Sequence, residues 1–227
     1  MGSSYRQFCP PVAKAMELFD ERWTLLLVRE LVLGSERFND LRRGGLPRMS
    51  PSLLSTRLHQ LTAAGIVQRV TDGRDIRYVL TPPAGRDLEA VVETLGAWGS
   101  RWTGRLGDED LDPKLLMWDM HRNVDRSAIP LEQVVVRFAF TDAPLGSRSW
   151  WLVITADEVD VCDLDPGFDV SVEVTADLRA LTEIWRGGEQ RWPDALRSGG
   201  TVVIDGPVML RRTLPGWFVS PLAAKSG

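Results

Sequence analysis

The stretch "LPRMSPSLLSTRLHQLTAAGIVQRV", residues 46–70, decides the fold of the first half of this chain. Ser50 is a good helix N-cap, because its hydroxyl can accept from one of the first-turn N–H groups that lack a partner. Pro51 suits the first helical position, where no N–H is needed. A helix therefore begins at 50 or 51. At about 100° per residue, Leu54, Leu58 and Leu61 share one stripe, and Ser52, Ser55, Thr56 and His59 share the opposite face. Gly65 closes the helix with a left-handed cap, and Ile66-Val67 resumes as a strand. Solvated helix faces are usually filled with Glu and Lys. This one carries small hydroxyls and a histidine, flanked by Arg48 and Arg57, with no carboxylate. It suits an ordinary amphipathic helix, or one that enters a DNA major groove, where phosphates would repel an acidic side chain.

The neighbouring segments favour the groove. "RFNDLRRG" (37–44) predicts a short helix with Phe38 and Leu41 inward and Arg42 and Arg43 outward, joined to the Ser50 helix by "GGLPRM". Two helices linked by a short Gly-containing turn form a helix-turn-helix. "VQRVTDGRDIRYVL" (67–80) reads as two strands around Asp72-Gly73, a dipeptide that favours a tight hairpin, with Arg74 and Arg77 at the tip. A helix-turn-helix followed by an Arg-tipped hairpin is a winged helix, whose hairpin can touch DNA backbone or minor groove. On this reading Arg48, Ser50, Ser52, Ser55, Thr56 and Arg57 meet the major groove. Arg37, Arg42 and Arg43 touch phosphates, and Arg74 and Arg77 sit on the wing.

Composition fits a two-part chain. At 227 residues, 44% of them hydrophobic, there is enough sequence for two cores. The net charge of −4 is unevenly spread: residues 1–106 hold 15 Lys and Arg against 11 Asp and Glu, and residues 107–227 hold 12 against 20. DNA affinity is expected from the first half, net +4, with the second half, net −8, away from the duplex. "TGRLGDEDLD" (103–112), Gly-rich and then acidic, marks the boundary, giving domains over 1–106 and 107–227. The apolar run "WTLLLVRELVLG" is interrupted by Arg29 and Glu30, and no signal peptide is visible. The expectation is a cytoplasmic protein without a membrane partner.

"PPAGRDLEAVVETLGAWGSRW" (82–102) reads as a helix with Thr81 as cap and Pro82 in the first turn. Leu88, Val91, Val92, Leu95, Trp98 and Trp102 follow at helical spacing. The stripe is either core or, with the apolar helix from Val12 to Phe19, the seam between two subunits. A small winged helix cannot bury so long a stripe alone, which favours a homodimer through the N-terminal helix and the 82–102 helix.

The second half opens with an amphipathic helix (112–125). Strands follow at 133–140, 150–162 folded at Ala156-Asp157, 169–176 and 201–206, with helices at 177–187, 192–199 and 207–218. Strands first and helices later predict an α+β domain, a mixed or antiparallel sheet with helices on one side. Its tryptophans, among them Trp118, Trp150, Trp151, Trp185, Trp192 and Trp217, serve either as filled core or as the lining of an apolar pocket. Chemistry for catalysis is missing. His59 and His121 lie on separate helices without a second ligand at i+3 or i+4, and two cysteines are too few for zinc, so no metal is expected. No phosphate loop, dinucleotide fingerprint or nucleophile elbow occurs, so no cofactor and no enzyme activity are expected.

The residues from "FCPPVAKAMELFDERWTLLLVREL" through "RFNDLRRGGLPRMSPSLLSTRL" to "RYVLTPPAGRDLEAVVETLGAWG" resemble the HxlR-type family of bacterial winged-helix transcriptional regulators, in register from about 8 to 100. The resemblance implies a homodimer that binds double-stranded operator DNA. One departure is Phe19-Asp20-Glu21 before Arg22-Trp23, where the family often has glycine; it puts an acidic pair at a helix junction. Cys9 matches an N-terminal Cys that some relatives use as a thiol sensor, and a structural Cys at the dimer seam is the alternative. The second half, through "RFAFTDAP", "LTEIWRG", "ALRSGGTVVIDGP" and "GWFVSPLA", resembles the sterol carrier protein type 2-like fold over roughly 112 to 221. That implies an apolar small molecule as ligand. The expected function is a homodimeric DNA-binding regulator modulated by such a molecule. The alternatives are a carrier of apolar molecules docked through its winged helix, and an enzyme built on the second domain.

Overall fold

In the computed structural model, described over residues 11–46, 48–102, 106–186, 191–197 and 201–219, the chain divides into two compact units, Met1–Gly104 and Arg105–Gly227. The first unit runs α1 (Pro11–Phe19), α2 (Thr24–Val32), α3 (Phe38–Asp40), α4 (Pro51–Ala63), β1 (Val67–Asp72), β2 (Asp75–Leu80) and α5 (Leu88–Trp102). Leu27, Val28 and Leu31 of α2, Leu54, Leu58 and Leu61 of α4, Leu41, Leu46 and Met49 around the turn, and Val67 and Leu80 of the hairpin form one buried cluster. Burial of each such side chain is worth about 1.5–3 kcal/mol, which fixes α4 by its leucine stripe and leaves its other face free.

Local chemistry sets the ends of α4. Ser50 Oγ accepts from Leu53 N at 3.3 Å, Pro51 occupies the first turn, and Gly65 takes φ +73 just past the C-terminus. β1 and β2 pair antiparallel from Val67–Leu80 to Asp72–Asp75, leaving Gly73 and Arg74 as the turn, with Gly73 at φ +57. Tyr78 N donates to Glu36 O at 2.8 Å, so the segment before α3 adds a short third rung to the wing.

Two elements of this unit differ from their sequence signals. The expected helix over 37–44 is α3 followed by a π-helical turn, Leu41–Gly45, a wider coil in which Gly45 stands against the Glu30 carboxylate with no room for a Cβ. The helix expected from Pro82 starts only at Leu88. Pro83 disfavours helical backbone at residue 82, and Thr81, expected as a cap, instead donates its hydroxyl to Gly65 O at 2.5 Å and its N–H to Ile66 O at 3.0 Å.

The second unit holds α6 (Pro113–Arg122), β3 (Gln133–Phe140), β4 (Ser149–Thr155), β5 (Val159–Cys162), β6 (Val172–Ala176), α7 (Leu178–Trp185), α8 (Trp192–Arg197), β7 (Val202–Asp205) and α9 (Val208–Thr213). The sheet order is β5-β4-β3-β6-β7; β3 and β6 are parallel and the other neighbours antiparallel, so the sheet is mixed. Alternation directs Val134, Val136, Phe138 and Phe140 of β3, with Leu152, Val174 and Ile204, onto Met117 and Met120 of α6, Leu181 and Trp185 of α7, and Trp217. The opposite face carries a smaller cluster of Val135, Trp151 and Val153. The expected helix over 207–218 splits into α9 and a 3₁₀ turn, Leu214–Trp217, because Pro215 has no N–H to continue the α-helix. Asp125 N then donates to Trp217 O at 2.7 Å and Val219 N to Asn123 O at 2.9 Å, tying this end to the chain after α6.

Candidate nucleic-acid interface

The exposed side of α4 is formed by Ser52, Ser55, Thr56 and His59, with Ser50 and Arg48 at its entry. Ser50 Oγ lies 3.2 Å from Ser52 Oγ, and Thr56 Oγ1 donates to Ser52 O at 2.9 Å, which leaves its lone pairs outward as acceptors. Arg42 and Arg43, on the π-helical turn, and Arg74, at the wing tip, are exposed and hold no ion pair among the described residues.

Arg57, expected to flank this polar face and meet the major groove, is instead largely buried. Its side chain is 10% exposed and turns away from Ser52 and Ser55: Nη1 donates to Gln60 Oε1 at 2.6 Å and Nη2 to Glu21 Oε2 at 2.5 Å. The reason is geometric. Residue 57 lies between the leucine stripe and the polar face, and the exposed carboxylate before α2 is within reach of its long stem.

Arg37 and Arg77 reach the wing already paired. Arg37 Nε lies 2.9 Å from Asp75 Oδ1, with Nη2 3.2 Å from Oδ2, and Arg77 Nε lies 3.5 Å from Asp75 Oδ2. The hydrogen bond from Arg37 holds the Asp75 carboxyl below the usual carboxylate range, and the same contact raises Arg37. Burial pushes the Asp40 carboxyl up, against the pull of Arg37 and Arg43.

Two acids bear on this surface without having been singled out for it. Glu30 is 1% exposed, its Oε1 2.5 Å from Arg29 Nη1, and a methyl group added to Gly45 would stand 1.9 Å from its Oε2. The carboxylate therefore packs flush against the backbone of the turn between α3 and α4. The available signal was a Glu inside an apolar run, which in sequence reads only as an interruption. Glu21, in the departure at 19–21, is the partner of Arg57.

On α5 the two readings of the apolar stripe separate by face. Leu88 and Val92 pack on the first unit's core, whereas Val91, Leu95, Trp98 at 57% and Trp102 at 67% are exposed, as are Val12 and Met16 of α1. Cys9 lies outside the described residues. Among the described residues no three His, Cys, Asp or Glu side chains stand together as a metal site, and no helix is long and apolar enough to cross a membrane.

A family model described as HxlR-like helix-turn-helix matches residues 18–106. The HTH-type transcriptional regulator Rv3095 of Mycobacterium tuberculosis is 43% identical over 98 residues, 41% of this chain and 60% of that protein, so the chain spans less than two thirds of it. YvaP of Bacillus subtilis, also an HTH-type transcriptional regulator, is 33% identical over 99 residues, 42% of this chain and 90% of YvaP. The reduced form of the transcriptional regulator YodB from B. subtilis aligns at 29% identity with a TM-score of 0.38, covering 43% of this chain and 99% of YodB.

Proposed function

The chain belongs to the HxlR-like helix-turn-helix family of transcriptional regulators, and from that premise we propose that it is a homodimeric, operator-binding regulator. The observation that carries the reading is α4: a leucine stripe buried in the core and an opposite face of Ser52, Ser55, Thr56 and His59, exposed and free of carboxylates. In this reading Ser52, Ser55 and Thr56 meet base edges, and Arg48 and Ser50 enter the groove beside them. Arg42, Arg43 and Arg74 contact phosphates at once, and Arg37 and Arg77 do so in competition with Asp75. The two-fold pairing uses the outward stripe of α5, Val91, Leu95, Trp98 and Trp102, whose 4-3-4 spacing is that of helices packed along one seam, together with α1.

Residues 107–227 make up the second domain in this account, and 1–106 the winged helix. The sheet of the second unit, with its helices on the Phe138 face, supports a sterol-carrier-like domain that takes an apolar effector. Such a molecule would change DNA binding only by preferring one of two states of the dimer.

The test uses two substitutions against the DNA fragment that the wild-type protein retains most tightly. Arg42→Ala lowers affinity about equally on all sequences and flattens the salt dependence by about one unit of slope. Ser55→Ala relaxes sequence preference at a cost of roughly 1–3 kcal/mol. Unchanged affinity, slope and preference in both variants would refute the interface.

A further inference from the structure

The departure at residues 19–21 places an acid where it meets the recognition helix. We propose that the Glu21–Arg57 pair is a joint through which the position of α1 is transmitted to α4, and that Arg57 is a positioning residue, not a DNA contact. The proposal rests on the reading of α4 as the DNA-reading helix.

Four observations carry it. Both terminal nitrogens of Arg57 are already engaged, one by Glu21 and one by Gln60, and its side chain is 10% exposed, so it lacks the exposure of a phosphate contact. Glu21 is 58% exposed and stands in the four-residue elbow between α1 and Thr24, outside either helix. The elbow is conformationally pinned: Trp23 takes φ 77, a left-handed backbone that bulky L-residues rarely adopt and that surrounding contacts must hold, with the Arg22 guanidinium 5.4 Å from its ring. Finally, α1 buries none of its residues in the single chain, and Leu18 and Phe19 at its end are only half-buried. The body of α1 thus projects from the elbow, whose end is held to the core by Leu18, Phe19 and Trp23 and to the side of α4 by the Glu21–Arg57 pair.

A charged, hydrogen-bonded pair that joins a projecting helix's elbow to a neighbouring helix is where a displacement of one becomes a displacement of the other. If α1 sits in the seam between subunits, its position reports the state of that seam. Glu21 and Arg57 carry the report to Ser52, Ser55 and Thr56, which share a rigid helix with Arg57.

The experiment uses the full chain with Glu21→Gln, Arg57→Gln and the double variant. Each is titrated with salt on the genomic fragment most tightly retained by the wild type, and each is followed by hydrogen exchange of peptides covering 11–23. The expected result is an affinity loss of about tenfold in either single variant, no further loss in the double, an unchanged salt slope, and faster exchange in 11–23. A slope lower by about one unit in Arg57→Gln would make Arg57 a phosphate contact and overturn the proposal. So would additive losses, or unaltered exchange in Glu21→Gln, whose exposed site tolerates substitution. The two readings fail separately: wild-type protein that binds every fragment alike refutes the DNA reading, whereas the exchange of 11–23 reports on the joint without DNA.

Discussion

Arg37 grips Asp75 through two parallel hydrogen bonds, Nε to Oδ1 at 2.9 Å and Nη2 to Oδ2 at 3.2 Å, linking the residue before the helix-turn-helix to the first position of the second wing strand. The pair fixes the wing beside α3 and at the same time neutralises two cations, since Asp75 also faces Arg77 at 3.5 Å. Replacing Asp75 by Asn should therefore strengthen DNA binding at low salt and steepen the plot of log affinity against log salt by up to about one unit per released arginine. Salt titration of Asp75→Asn against wild type checks this. Unchanged slope and affinity would mean that the wing arginines do not meet phosphate.

The outward stripe of α5 predicts the oligomeric state. A glutamate at Trp98 would bury a charge in the proposed seam, and Trp98→Glu should yield monomers in sedimentation while retaining the helical content of the wild type. Because operator binding by a two-fold pair needs both subunits, the same variant should lose specific binding. A Trp98→Glu dimer as tight as the wild type would place the seam elsewhere.

Gly45 and Gly96 predict opposite signs. A Cβ at Gly45 collides with the Glu30 carboxylate, which is buried and cannot withdraw to solvent. Gly45→Ala should cost about 1–3 kcal/mol in denaturant unfolding. Gly96, in an exposed stretch of α5 with open space around its added methyl, should gain roughly 0.5–1 kcal/mol as Ala.

His121 predicts an acid limb. Its Nδ1–H donates to Trp118 O on α6, and burial, with Arg122 adding to it against Asp119 and Asp160, lowers its pKa from 6.5 to about 4. The unfolded chain then binds a proton that the folded one refuses, so stability is full above pH 6.5 and falls as the pH drops toward 4, by about 2–4 kcal/mol over the window. Unfolding of His121→Gln followed from pH 7 to 4 should show a shallower decline than wild type. Parallel pH profiles would assign the decline to other groups.

The helix-turn-helix was legible because its signals are local: the Ser50-Pro51 start, the leucine stripe, Gly65 and the Asp72-Gly73 turn each act within a few residues. What was not legible depends on partners far apart in sequence. Arg57 reads as a flanking cation until Glu21, 36 residues earlier, is brought against it, and Arg37 reads as free until the hairpin returns Asp75. Glu30 looked like a blemish in an apolar run, though its carboxylate shapes the turn on which Arg42 and Arg43 stand. In the second unit, alternation located the strands, but the parallel pairing of β3 with β6 is a matter of long-range register that no periodicity encodes.

The central claim is that the carboxylate-free face of α4 reads DNA. It is tested most directly by sequencing the genomic fragments that the purified protein retains and titrating the best one against salt beside a scrambled control. A shared two-fold motif with half-sites about one helical turn apart, bound far more tightly than the control at every salt concentration, is the expected result. Equal, weak binding to both fragments would contradict it.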